Sequence, residues 1–306
     1  VSTLHFSHAC DASAAVLIGG TSCFVAASDE DGTLRVYDLD AAGAPVAAVD
    51  VTGFLEPDDA AETEPDVEGA AQIGDRVYWI GSHGRSRKGK ERKIRQRLFA
   101  TSVSTAGGRV TLAPVGVPFK DLLPALVTAP GLARFTLADA AGKAPEAPGG
   151  LNIEGMAPTP EGHLLIGFRN PIPHGHAVVA RLRNPAALVD GSSTRADVTL
   201  AGTLDLGGLG IRAIEFVPTS GVYLVLAGRF DDGDDFALFQ WSGEPGAPAQ
   251  ALSADFGGLH PEELIVLPGA GRRLAVRLFS DDGTDACKSA AAAGRRFRSI
   301  TTHVNL

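Results

Sequence analysis

Short apolar runs alternate along the chain with clusters of Gly, Pro, Asp and Asn, and apolar residues at helical spacing are almost absent. Strand side chains point alternately to opposite faces, so short β-branched or alternating runs bounded by turn residues predict many short strands. The runs recur at intervals of about 50 residues, the range of propeller-type repeats.

Five units superimpose, each with an inner strand, a turn, a second strand ending in polar residues, a loop and two outer strands. The first takes residues 10–16, 23–27, 33–38 and 46–51, and the second takes 67–73, 76–80, 97–103 and 110–115. The third begins at Ile153 and continues through 163–167, 177–182 and 198–204; the fourth takes 211–217, 222–227, 236–241 and 249–254. The fifth offers 261–267, 272–279 and 296–304 and lacks a fourth strand. Residues 3–7, with no partner of their own, supply it, and a ring closed in this way leaves no long edge open. The sequence therefore predicts an all-β, five-bladed β-propeller closed by its N-terminal strand, a single domain over residues 1–306, with six blades as the alternative. Between the second and third units, residues 117–150 form an insertion. Its spacing is helix-like at 119–123 and 132–135 but is broken at Pro124 and Pro130, which predicts short helices over one face followed by a loop. The tract 290–294 also reads as a loop.

Composition narrows this picture only slightly. A length of 306 residues allows two domains, and the repeat decides for one. With 44% hydrophobic and 21% charged residues the chain can bury a core. A formal net charge of -9 argues against a nucleic-acid partner, and no apolar run approaches the roughly 18 residues of a spanning helix, so no membrane partner is expected. The sequence opens on Val1 rather than Met, which leaves export open. Nothing in the pattern specifies an oligomeric state.

One phrase recurs: Asp66-Val67-Glu68-Gly69, Asn152-Ile153-Glu154-Gly155 and, more loosely, His260-Pro261-Glu262-Glu263. In a propeller, the starts of inner strands and the ends of second strands share one face. The register thus gathers Asp11, Glu68, Glu154, Arg212 and Glu262 with Asp29, His83, Arg169, Asn170, Arg229 and Asp281. Carboxylates so crowded raise one another's pKa unless cations intervene. One reading is a structural ring of ion pairs tying the blades together; the other is a site. In the second reading Glu68, Glu154, Glu262 and Asp11 hold a divalent metal, calcium first. Alternatively, Glu68 and Glu154 share acid and base work, with His83 moving protons. Arg85, Arg169, Asn170, Arg212 and Arg229 hold a small anionic molecule. The glycine after each Glu lets neighbouring strands approach closely.

Residues 85–97 carry eight Lys or Arg against the lone Glu91. The run is either a solvated loop or a basic rim on the channel face. His174 and His176 lie in the equivalent loop of the third unit, and His260 adjoins Glu262. The Asp-rich runs at 29–32, 231–235 and 281–283 lack the EF-hand pattern and are explained as Asp-Gly turns. No nucleophile elbow, P-loop or dinucleotide fingerprint occurs, so no nucleotide cofactor is expected.

Three functions fit: a hydrolase of phosphoesters or lactones, a glycoside hydrolase, and a non-catalytic module binding an anionic ligand. An aromatic content of 6% disfavours the glycosidase. The three cysteines are either buried thiols or, for Cys10 and Cys287, a disulfide across the ring closure. A bridge there favours a secreted or periplasmic location.

The segments 66–71, 79–85 and 88–92, with 151–157 and 167–171, resemble the bacterial domain-of-unknown-function family numbered three-six-one-six. Residues 206–212 and 10–14 fit the same pattern, so the likeness spans nearly the whole chain. The resemblance implies a propeller and no particular activity. The Glu-Gly phrases are also distantly similar to those of esterase-like phytases and gluconolactonase-type propellers. That likeness implies metal-holding roles for Glu68 and Glu154 alone.

Overall fold

A computed structural model describes residues 2–59, 61–231, 233–269 and 271–306. Asp232, within the Asp-rich run of the fourth unit, lies outside the described residues. Five four-stranded antiparallel sheets stand in a ring, forming a five-bladed β-propeller. The first blade is β2 (Ala14–Leu17), β3 (Cys23–Ala27), β4 (Thr33–Asp38) and β5 (Ala47–Asp50). The second is β6 (Val67–Ile73), β7 (Arg76–Gly81), β8 (Leu98–Ser104) and β9 (Thr111–Phe119). The third is β10 (Asn152–Pro158), β11 (Leu164–Asn170), β12 (His176–Leu182) and β13 (Val198–Asp205). The fourth is β14 (Gly210–Val217), β15 (Val222–Gly228), β16 (Phe236–Trp241) and β17 (Gln250–Leu252). The last blade consists of β18 (Pro261–Val266), β19 (Arg273–Ser280), β20 (Arg296–Asn305) and, as its outer strand, β1 (Thr3–Ser7).

Each inner strand touches the next, and β18 touches β2, so the ring is closed. Alternation along the strands sends apolar side chains to both faces of every blade. The buried residues accordingly form five clusters, one per blade interface. At the seam between last and first blades, Thr3–Ser7 pairs with 296–300 of β20. Phe6 is fully buried there against Phe24, Tyr37 and Phe297, with ring centroids 5.1–5.4 Å apart. A Cys10–Cys287 disulfide crosses the same seam, leaving Cys23 as a free thiol.

The insertion carries α1 (Leu122–Thr128) and α2 (Leu137–Ala141), with a 3-10 turn at Ala133–Phe135 between them. Pro124 does not break α1 as the sequence suggested. It sits in the first turn, where a backbone N–H has no helical acceptor to lose. The helices bury Leu122, Leu126, Leu132, Phe135 and Leu137 in the cluster between the second and third blades. Two further short helices, α3 (Pro185–Val189) and α4 (Asp285–Ser289), were not legible in the sequence. The tract expected to be a loop contains a 3-10 turn at Ala292–Gly294.

Candidate active site

The recurring phrase has a local structural meaning. In β6 the pairing passes from Val67 opposite Gly81 to Gly69 opposite Ile80, so Glu68 is an extra residue without a partner. The same irregularity leaves out Glu154 in β10, Arg212 in β14 and Glu262 in β18. A bulge of this kind bends the strand and re-aims the unpaired side chain, and here four bulges aim ionisable residues at one mouth of the channel. The adjoining glycines are close-approach positions. A Cβ on Gly69 would sit 2.9 Å from Met156 Cβ and 3.1 Å from Glu154 O, and one on Gly155 would sit 2.8 Å from Ile211 Cγ2. Glu-Gly thus couples an aimed carboxylate to tight packing against the next blade.

In the first blade the register corrects the expected equivalence. Ala14 pairs with Ala27, which puts Ser13, not Asp11, in the position of Glu68. Asp11 instead matches Asp66: each accepts from a serine at the end of the second strand, Ser28 for Asp11 and Ser82 for Asp66. Asp11 also takes the Asp29 N–H at 3.2 Å and stands behind Asp29 rather than on the cavity wall.

At this mouth lies a cavity of about 650 Å³. Glu68, Glu154, Arg169, Arg212 and Glu262 line it, as the register predicted, together with Asp29 and Asp281. Most of their charge is spent within the ring. Glu154, 4% exposed, receives Arg169 Nη1 at 2.7 Å on Oε1, lies 3.5 Å from Arg212 Nε through Oε2, and accepts from Asn152 Nδ2 at 2.9 Å. Arg212 continues to Glu262 Oε1 at 2.8 Å. Arg169 also donates to the backbone carbonyls of Arg229 and Asp231. These pairs are the blade-tying network that formed one of the two readings, and they leave Glu154 and Glu262 committed to guanidinium groups.

Glu68 differs. Among the described residues no cation or hydrogen-bond donor pairs with its carboxylate, and burial followed by Glu154, Asp66 and Glu262 pushes its pKa well above the ordinary range. Asp29 is pushed up to about 7, first by burial and then by Asp66, with Lys288 opposing. Carboxylate oxygens of Asp29, Asp66 and Glu68 lie within 4.8 Å of one another, a group that can hold a metal ion. Asp11, Asp29 and Glu30 form a second such group, but Glu30 already faces Lys288 at 3.0 Å and Arg295 at 3.9 Å. The expected set of Glu68, Glu154, Glu262 and Asp11 is therefore not the one brought together.

Other expected residues stand off the cavity wall. His83 is 2% exposed, donates from Nδ1 to Gly81 O, 2.8 Å away, and leaves Nε2 buried without a hydrogen-bond partner. Burial drives its pKa down to about 4, so it is neutral near pH 7. Arg85 donates to Ala141 O and Gly89 O, and Asn170 to Pro145 O and Ala147 O, so both pin the insertion's tail beside the cavity. Arg229 points outward to Asp231 and Asp235. His174 and His176 lie outside the lining, whereas His260 reaches it.

The sequence reading passed over Asp66 and Asn152 as site residues, although both stand two places before the Glu in the recurring phrase. The basic loop divides: Arg87 and Arg95 line the cavity, and Lys88, Lys90 and Arg92 do not. Arg95 holds Asp66 at 2.7 Å and keeps a buried Nε without a hydrogen-bond partner. Among the described residues the lining carries ten carboxylates against six Lys or Arg side chains. The cavity lining is thus net acidic.

Among solved structures, the chain is similar to glutaminyl cyclase of Myxococcus xanthus, at 12% identity and a TM-score of 0.47, covering 98% of this chain and 94% of that one. It is also similar to Pseudomonas fluorescens PhoX in complex with vanadate, at 12% identity and a TM-score of 0.40, covering 90% and 57%. A third is an exo-beta-1,3-galactanase of Phanerochaete chrysosporium, at 9% identity and a TM-score of 0.46, covering 94% and 58%. At this level of similarity none carries a functional inference. No curated protein matches. The family described as "Protein of unknown function (DUF3616)" matches residues 11–129 and 116–273, most of the sequence that builds the blades and the cavity, and the chain belongs to that family.

Proposed function

We propose that the cavity is the active site of a metal-dependent hydrolase of small anionic substrates, phosphoesters or lactones. The observation that carries this reading is the unpaired, half-buried Glu68 beside Asp29 and Asp66 in a cavity where carboxylates outnumber cations. Such a lining is electrostatically unfavourable when empty of cations, and a divalent ion relieves it. The donor set is all oxygen, which suits a hard ion such as calcium and not zinc or copper. When bound, the ion would polarise a phosphoryl or carbonyl oxygen and offset the repulsion between an anionic substrate and the acidic wall.

The remaining roles belong to the chain. Asp29, Asp66 and Glu68 hold the ion, and Arg95, which lines the cavity beside Asp66, orients the substrate anion. Arg169 and Arg212 hold Glu154 and Glu262 in place. His83 has no part in proton transfer in this reading, because it stands off the cavity. The seam disulfide supports an oxidising compartment, and we take the protein to be secreted or periplasmic.

The test measures bound metal in the purified protein, then activity on aryl phosphates and lactones with calcium, magnesium or manganese added after chelation. Activity restored by one ion and abolished in Asp29→Asn and Glu68→Gln is the expected result. Activity indifferent to chelation overturns the metal role. Retained small-anion binding without turnover of either substrate class overturns the hydrolase.

A further inference from the structure

The channel has a second mouth, which the proposed hydrolysis does not use. Where the five inner strands end, the side chains of Val16, Ala71, Pro158, Phe216, Val266 and Leu274 surround a cavity of about 310 Å³. That volume is at the lower end of the range for small-molecule sites. Its wall is mainly apolar, in contrast to the acidic mouth, and one carboxylate opens into it, that of Glu215 on β14.

Glu215 is oddly placed for a structural role. The described residues give it one hydrogen-bond donor, the Val266 backbone N–H, and no described residue lining this cavity is basic. Its neighbour Glu263 is different: both oxygens are occupied, by the N–H of Leu264 on its own strand at 2.8 Å and by that of Ala15 at 3.3 Å, the second of which ties the last blade to the first. Glu263 therefore has a structural task that accounts for its burial, and Glu215 has none. A carboxyl group in an apolar surrounding is costly unless something pairs with it. Burial pushes the Glu215 pKa up to about 8, as expected for a group that meets no cation within the chain.

We propose that this second mouth binds a small amphipathic cation, an alkyl- or arylalkyl-ammonium whose apolar body fills the cavity and whose ammonium pairs with the Glu215 carboxylate. Charge complementarity selects the class. Where Glu215 is ionised, an anion meets a carboxylate and no base, and a neutral alkane leaves the carboxylate without a counter-charge. The ammonium supplies the missing counter-charge through a charge-assisted hydrogen bond.

Hexylammonium is a suitable probe, with hexanoate as its anionic counterpart. Titration of the full chain at about pH 9, where Glu215 is ionised and an alkylammonium is still charged, is followed by methyl resonances of Val16 and Val266 and by calorimetry. Saturable hexylammonium binding that shifts those methyls is expected, and hexanoate is expected not to bind. Glu215→Gln should weaken hexylammonium about tenfold or more, the usual loss for a charged hydrogen bond. Glu68→Gln should leave the affinity unchanged, which separates this mouth from the acidic one. Absence of saturation, equal affinity in Glu215→Gln, hexanoate binding as tightly, or loss in Glu68→Gln alone each overturns the proposal.

Discussion

Arg212 shows how much a single residue at a bulge is asked to do. It lies 3.5 Å from Glu154 and 2.8 Å from Glu262, and it is 6% exposed. Removing one partner from a buried ion pair strands the others without compensation, at a cost of about 3–5 kcal/mol. Arg212→Met should therefore lower the urea midpoint sharply, and a double variant that also carries Glu262→Gln should recover part of the loss. Glu215 poses the opposite case. Its pKa is raised on folding, so between about 4.5 and about 8 the folded chain keeps a proton that the unfolded chain has lost. Stability then falls as pH rises through that window. Glu215→Gln removes this term. The variant should match the parent near pH 4.5 and exceed it at pH 8 by an amount on the order of 1–3 kcal/mol, read from urea unfolding at the two pH values.

At the scale of the strand, the bulged Glu-Gly step is the unit that makes both site and interface. The glycine accepts the neighbouring blade at a distance no Cβ tolerates, and the Glu before it leaves the ladder to face the channel. Gly155→Ala should cost about 1–3 kcal/mol by overpacking against Ile211 and Ile214. Thermal unfolding reads that loss, and the spacing of the third and fourth blades should change along with it. Strand positions were legible because alternation and turn chemistry are local, and the observed strands fall within a few residues of the expected ones. The bulges were not legible, because an extra residue in one strand is defined by what lies opposite it. That is why Asp11 was aligned with Glu68 when its structural counterpart is Asp66.

For the whole molecule, closure is the decisive step. Strand pairing by residues 3–7, the Phe6 cluster and the Cys10–Cys287 disulfide all act on the same seam. The bridge joins residues 277 positions apart, so its loss frees nearly the whole chain in the unfolded state. Cys287→Ser should lower stability by about 2–5 kcal/mol, with a matching drop in the parent under reducing conditions. A calcium titration addresses the cavity at the same scale. If calcium binds the folded state alone, a concentration about 100 times its dissociation constant should add ~2.7 kcal/mol of stability, and Glu68→Gln should abolish the gain.

The chain by itself determined the propeller, with five blades ahead of six, the strand that closes it, and the fact that ionisable residues meet at one mouth. These follow from periodicity, from an unpaired N-terminal strand and from a phrase repeated in register, all of which are properties of sequence order. Only the tertiary structure decided which of those residues are spent on one another. Glu154 and Glu262 face guanidinium groups, His83 is folded away from the cavity, and Glu68 is left beside Asp29 and Asp66. Pairing depends on distances between side chains from different blades, set by bulges and by close packing at glycine, and no single repeat contains that information. The same holds for Glu215, an ordinary strand residue in the sequence that became a carboxyl facing a cavity with no basic residue among its described lining only when five strand ends closed around it.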